Sequence, residues 1–198
     1  MNRQISATIV IVLFSALASY FLLDKALASY FATNPCCIKS FLGFFSKFGI
    51  STYYLIGSFL LFVAMIKYNK ELSRASLYLF STIASSGILV IILKIIFARY
   101  RPPKFINEEL YGFNWFDFGY IVNSFPSGHS TTAFSLFMAL SFLQPKFKWL
   151  FLLFASLVAL SRVALGVHYF SDILVGSLLG TLTSIYLYNR FYKAKVWI

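Results

Sequence analysis

The sequence predicts an all-α fold, a polytopic membrane helix bundle, and three observations carry that reading. The 198 residues are 60% hydrophobic and only 12% charged, where a soluble domain has roughly 45–50% and 25%. Six apolar runs, at 6–23, 50–66, 75–97, 127–142, 147–164 and 169–187, each approach the roughly 20 residues that cross a bilayer. None of the runs alternates apolar with polar residues as barrel strands do, and helices are the other structure that satisfies its backbone inside hydrocarbon. Short connections leave no room for a separate soluble unit, so residues 1–198 read as one membrane-embedded domain with about six transmembrane helices.

Taken in order, the first run follows Arg3 and carries an A-x-A-like Ala16-Leu17-Ala18, as a cleaved leader would. Its length is enough to span, so it reads as a retained helix. Residues 24–49 mix Lys25, Lys39 and Lys47 with Phe31, Phe41, Phe44, Phe45 and Phe48, the composition of an interfacial amphipathic helix on the outer leaflet. The six residues 16–21 recur identically at 26–31, a period too short for a repeat architecture. Cys36 and Cys37 are adjacent, a spacing that bridges only with strain, so they read as free thiols.

The third helix is expected to carry both Lys94 and Arg101, seven residues apart and so on one face. Pro102 and Pro103 are expected to stop that helix just after Arg101, because proline disfavours the helical conformation in the residue before it. The connection 99–125 is long and aromatic, with Tyr111, Phe113, Trp115, Phe116, Phe118 and Tyr120. Connections of that length are usually lids or binding loops, and its rings are placed to guide a lipid toward the charged clusters. The fourth run opens with Pro126-Ser127-Gly128-His129, and the fifth ends at Arg162, with Gly166 in the turn that follows. His168 and Asp172 open the sixth run, where Gly176-x3-Gly180 marks a close helix contact within the bundle. Trp149 and Trp197 suit the aromatic belt at the opposite membrane face.

The formal net charge is +11, but these cations occupy the joints between apolar runs rather than a soluble face, so nucleic acid is excluded as a partner. With a cytoplasmic N-terminus, Arg3, Lys67, Lys70, Arg74, Lys146, Lys148, Arg190, Lys193 and Lys195 fall inside. Outside fall Lys25, Lys39, Lys47, Arg99 and Lys104, together with the motif cations Lys94, Arg101 and Arg162. Leaving out the motif cations, nine inside against five outside satisfies the positive-inside rule for an even number of spans. All three charged clusters then share the external face, of the cytoplasmic membrane if the cell is bacterial.

Each cluster has a chemistry. An intramembrane Lys or Arg is costly and marks function by default, although Lys94 and Arg101 taken alone also fit snorkelling to the interface. A helix start supplies free N–H groups that bind phosphate; Ser127 adds a hydroxyl and Gly128 permits close approach. Alone, that cluster also reads as a capped helix carrying a polar histidine. His168 and Asp172 are four apart, so the carboxylate is placed to accept from the imidazole and fix its tautomer. Both histidines belong to these clusters and the cysteines match no metal motif, so the sequence contains no metal site.

Lys94-x6-Arg101-Pro102, then Pro126-Ser127-Gly128-His129, then Ser161-Arg162-x5-His168-x3-Asp172 resembles the tripartite signature of the type-2 phosphatidic acid phosphatase superfamily of membrane lipid phosphatases. The resemblance covers 94–172 in order and spacing. It implies a phosphatase working without metal or other cofactor, with His168 as nucleophile through a phosphohistidine and Asp172 orienting it. His129 would protonate the leaving oxygen and then activate water. Lys94, Arg101, Ser127, Gly128 and Arg162 would hold the phosphoryl oxygens. Physical chemistry agrees, because phosphoryl transfer needs mainly positioning and charge neutralisation. The implied substrate is a membrane lipid phosphate or diphosphate in the bilayer: undecaprenyl diphosphate, phosphatidylglycerol phosphate or lipid A 1-phosphate. Transfer to a lipid hydroxyl instead of water is a second enzyme reading, and an anionic-lipid binder or transporter is a third. The superfamily also resembles vanadate-dependent haloperoxidases, whose solubility sets them apart from this chain.

Overall fold

The computed structural model describes residues 3–34 and 37–193. Cys36 and Trp197 lie outside the described residues, as does the Cys37 side chain, and with them the expectations for the thiols and one aromatic anchor. Helices occupy all six predicted runs: α1 (Arg3–Leu22), α4 (Ser51–Met65), α5 (Lys70–Phe97), α7 (Gly128–Leu143), α8 (Lys148–Ala164) and α9 (Phe170–Tyr188). Between them lie α2 (Asp24–Thr33), α3 (Cys37–Ser46) and α6 (Pro102–Glu108). The described residues form no strand beyond one isolated bridge. The chain is an all-helical integral membrane protein.

Among the described residues, five stretches are long and apolar enough to cross a membrane: Arg3–Leu22, Lys39–Met65, Lys70–Phe97, Pro145–Ala164 and Phe170–Lys193. The remaining predicted span, the fourth in order, is α7, which has 16 residues, about 24 Å of helix against about 30 Å of hydrocarbon. It packs against α5, α8 and α9 in the middle of the bundle, and its Ser130, Thr131, Thr132 and Ser135 are buried there. Three of these hydroxyls are satisfied inside the bundle: Ser130 Oγ donates to Ser127 Oγ at 3.0 Å, Thr131 Oγ1 to Ser127 O at 3.0 Å and Ser135 Oγ to Ser86 Oγ at 2.7 Å. Small residues permit the approach. A Cβ at Gly176 would stand 2.6 Å from Ser127 O, and one at Gly180 2.4 Å from Thr131 O. The glycine pair is therefore the internal α7–α9 contact that the spacing predicts.

Two local expectations change. Residues 24–49 do not form one interfacial helix: α2 follows α1 after a single residue and touches α6, α8 and α9. α3 packs on α8 and leads through a 3-10 turn at Lys47–Gly49 into α4, with Phe45 and Phe48 against Phe154. Nor does α5 reach Arg101. It stops at Phe97, where Ala98 takes a left-handed conformation and closes the helix with N–H to Lys94 O.

The reason is pairing farther along. The N–H of Tyr100 donates to Gly112 O at 3.1 Å, that of Ser124 to Arg99 O at 3.0 Å and that of Arg101 to Ile121 O at 2.9 Å. Residues 99–101 are thereby drawn into an extended strip flanked on both sides by the long connection. Pro102 then opens α6 with Arg101 extended before it, as the pre-proline rule requires. Lys94 and Arg101 accordingly do not share a helix face.

Candidate active site

Although not on one helix, Lys94 and Arg101 converge. The Lys94 ammonium donates to Asn123 O, and Arg101 donates to the same carbonyl at 3.3 Å and to Val167 O at 3.4 Å. The Arg101 guanidinium also lies 4.0 Å from the centre of the Tyr120 ring, within range of a cation–π contact. Arg162, in the last turn of α8, donates to Ser46 Oγ. No carboxylate forms an ion pair with any of these three cations among the described residues. All three act electrostatically on His129, which draws the predicted clusters into one site.

Ser127 caps α7, its Oγ accepting from Ser130 N at 3.4 Å and from Ser130 Oγ at 3.0 Å. The following residues, Gly128 and His129, start the helix, where unpaired N–H groups favour an anion. The 3-10 turn sets the imidazole from behind, since a Cβ at Gly49 would stand 2.7 Å from the His129 ring. A cavity of about 300 Å³ between α4, α5 and α7 is lined by Lys94, Gly128, His129, Ser51, Gly87 and Thr132 among others. A larger groove of about 380 Å³ between α1, α8 and α9 has only apolar and hydroxyl walls and offers no chemistry.

His168 stands in the turn joining α8 to α9, two residues before the first helical residue. Gly166 makes that turn possible with φ +67°, and the N–H groups of Val167 and His168 both return to Arg162 O at 3.2 Å. The imidazole is buried. Its Nδ1 lies 3.6 Å from Asp172 Oδ2 and has no hydrogen-bond partner. The expected bond from imidazole to carboxylate is therefore a close approach instead, beyond the usual 2.7–3.2 Å. The cause is competition: Oδ2 already accepts from Tyr169 N at 2.8 Å and from Ser124 Oγ at 2.6 Å. Burial pushes the His168 pKa down to about 3; Lys94 and Arg101 add to the shift, against the pull of Asp172. The ring is neutral at ordinary pH.

Sequence reasoning missed the other side of Asp172. Arg99 is completely buried and donates to Asp172 Oδ1 at 2.5 Å and to Asp24 Oδ2 at 2.8 Å. Tyr111 Oη accepts from Arg99 at 3.0 Å and donates to Tyr20 O at 2.6 Å. The Tyr20 and Tyr169 rings lie 4.9 and 4.3 Å from the guanidinium. Burial works against the charge of Arg99, but Asp172 and Asp24 more than offset it and raise its pKa above the ordinary value. One signal for this network was present in the sequence: Asp24 is a carboxylate directly after an apolar run.

The PAP2 superfamily pattern matches residues 75–195. The chain belongs to that superfamily. It is 30% identical over 191 residues to a lipid A 1-phosphatase of Rhizobium johnstonii, covering 90% of this chain and 78% of that protein. A lipid A 1-phosphatase of Rhizobium etli is 31% identical over 159 residues, 74% of this chain and 68% of the relative. The fold is shared with the crystal structure of a transmembrane PAP2-type phosphatidylglycerolphosphate phosphatase from Bacillus subtilis, with a TM-score of 0.70 at 20% identity over the full length of both chains. This member of the superfamily is thus a membrane phosphatase acting on lipid phosphates.

Proposed function

We propose that the chain hydrolyses the terminal phosphate of a bacterial envelope lipid through a phosphohistidine on His168, with lipid A 1-phosphate the leading substrate. The two lipid A 1-phosphatase relatives support the substrate. The observation that carries the mechanism is the meeting of three cations that lack a carboxylate partner among the described residues with two imidazoles, only one of which lies beside a buried carboxylate.

In the proposed sequence, the His168 Nε2 lone pair attacks phosphorus and the bond from phosphorus to the lipid oxygen breaks. That oxygen takes a proton from His129. Lys94, Arg101, Arg162, Ser127 Oγ and the Gly128 N–H neutralise the phosphoryl oxygens, with Asp172 orienting His168 and stabilising charge that develops on its ring. A water then gives its proton to His129 while its oxygen bonds to phosphorus and the P–N bond breaks. Inorganic phosphate leaves and both imidazoles return to their starting states. The cavity against His129 suits the leaving lipid oxygen and the groups attached to it.

The charge count that favours internal termini supports an external active site, periplasmic in a cell with two membranes. Phosphate release by the purified protein, with and without chelator, from lipid A, undecaprenyl diphosphate and phosphatidylglycerol phosphate tests the proposal. Release from lipid A with chelator present is the expected result. No release from any of the three, or phosphate appearing only on a second lipid, overturns hydrolysis.

A further inference from the structure

We infer that Asp24, at the start of α2 and outside the stretch matching the superfamily, is a positioning residue for Asp172 and acts on it through Arg99. This rests on the reading of His168 as nucleophile. Asp24, Arg99 and Asp172 are all buried, and together they carry a formal charge of −1. Were Asp24 neutral, the Arg99–Asp172 pair would sum to zero, and the carboxylate beside His168 would lose much of its effect on the ring. Asp24 draws on the opposite end of the guanidinium, so Arg99 can fix Asp172 without cancelling it. Low local polarity strengthens each of these interactions.

The same carboxylate also sets geometry. Its Oδ1 accepts from Ser171 N at 3.0 Å and from Ser19 Oγ at 2.8 Å, while Oδ2 accepts from Ser171 Oγ. Ser171 is the chain neighbour of Asp172, so Asp24 holds the first turn of α9 in place. Ser171 Oγ in turn accepts from Arg99 at 2.6 Å, which closes the circuit. The aromatic residues facing this network from the neighbouring elements are Tyr20 on α1, Tyr111 and Phe113 on the long connection and Tyr169 before α9. His168 lies 3.6 Å from Asp172 and within the electrostatic reach of Lys94 and Arg101. Asp24 touches none of the reacting atoms in this arrangement. Its effect has to pass through Asp172.

The test uses the full chain in detergent and a lipid phosphate with an activated leaving group, read as single-turnover phosphoenzyme formation. Asp24→Asn keeps the shape and removes the charge. It should slow phosphoenzyme formation about tenfold at saturating substrate, with KM changed by less than about twofold. Added to Asp172→Asn, the same substitution should cost less than about twofold more, because a residue acting through a partner has no separate effect once that partner is neutral. An equal loss in both backgrounds, no loss in wild type, or a rise in KM at constant rate overturns the inference. If Asp24→Asn does not fold, Ser19→Ala removes one donor from the same carboxylate and should give a loss of about two- to threefold, absent with Asp172→Asn. Equal losses from Ser19→Ala in both backgrounds, or none in either, likewise overturn it. His168→Ala in the same assay separates the failures: phosphoenzyme that survives it refutes the nucleophile assignment, whereas phosphoenzyme lost with His168 but unmoved by Asp24→Asn refutes the positioning role alone.

Discussion

Arg99 and Arg101 are two residues apart in one extended strip, yet their surroundings are opposite. Arg99 is enclosed by two carboxylates, a phenol and three flanking aromatic rings. Arg101 is held by two long hydrogen bonds to carbonyls and by the Tyr120 ring. Successive side chains in extended backbone point to opposite sides, but residues i and i+2 share one; what divides these two is the pair of acidic residues supplied to Arg99 by α2 and α9. A buried cation with its charge already matched has little left to offer a ligand. One held only by neutral acceptors, beside others of its sign, gains most when an anion arrives. Under the proposed mechanism, charge in this bundle is divided between holding the machinery in place and receiving the phosphate.

The largest expected effect falls where both halves meet. His168→Ala should lower turnover by at least about 10⁴-fold and leave no acid-labile phosphoryl group on the protein. Adduct formation in that variant would detach the Arg99 side from catalysis. Next, Arg101→Ala should reduce kcat/KM by roughly 10²–10³-fold, the usual effect of deleting one transition-state donor, without lowering the thermal midpoint. Arg99→Ala should do the reverse first. It strands two buried carboxylates, and breaking such a set costs about 3–5 kcal/mol of stability. A midpoint for Arg99→Ala equal to that for Arg101→Ala would erase the distinction between them.

Stability against pH gives a smaller and sharper reading. The folded state holds His168 at about 3, below the roughly 6.5 of an unfolded histidine, so the unfolded chain binds the extra proton. The neutral ring imposes no penalty above pH 6.5, and stability falls as pH drops from there toward 3. His168→Gln should flatten that part of the curve, and an unchanged slope would mean that the ring is not buried as neutral imidazole. The smallest effect expected is from chelation. No three of His, Cys, Asp and Glu gather as a ligand group among the described residues, and phosphate release should survive chelator within experimental error. Loss of release, restored by a divalent ion, would transfer the work assigned to the three cations to a metal.

The spans were legible because hydropathy and length suffice to define them, and the helices begin and end within a few residues of the apolar runs. The residues that converge on the site were legible because their spacing is short and repeats a known pattern. Arg99 and Asp24 were not, because 75 residues separate them and no period links such a pair. Arg99 looked like one more outward cation in a charge count. The end of α5 was misplaced by four residues for a related reason: the proline rule sees only the next residue, whereas hydrogen bonds to the carbonyls of 112 and 121 and from the N–H of 124 determine where the helix gives way. His168 and Asp172 were correctly brought together, but the rivals for Oδ2, Ser124 and Tyr169, depend on a fold that no spacing encodes.

Gly49 belongs to none of the signature strings, yet its missing side chain is what lets His129 stand where it does. For anyone redesigning the chain or placing probes in it, position 49 is closed, because even one methyl group would have to displace an imidazole. Gly57 and Gly87 are the contrasting case, with open space where a Cβ would go. A label on Gly87 would report from the wall of the cavity next to His129, and one on Gly57 from α4, leaving the backstop of the imidazole intact.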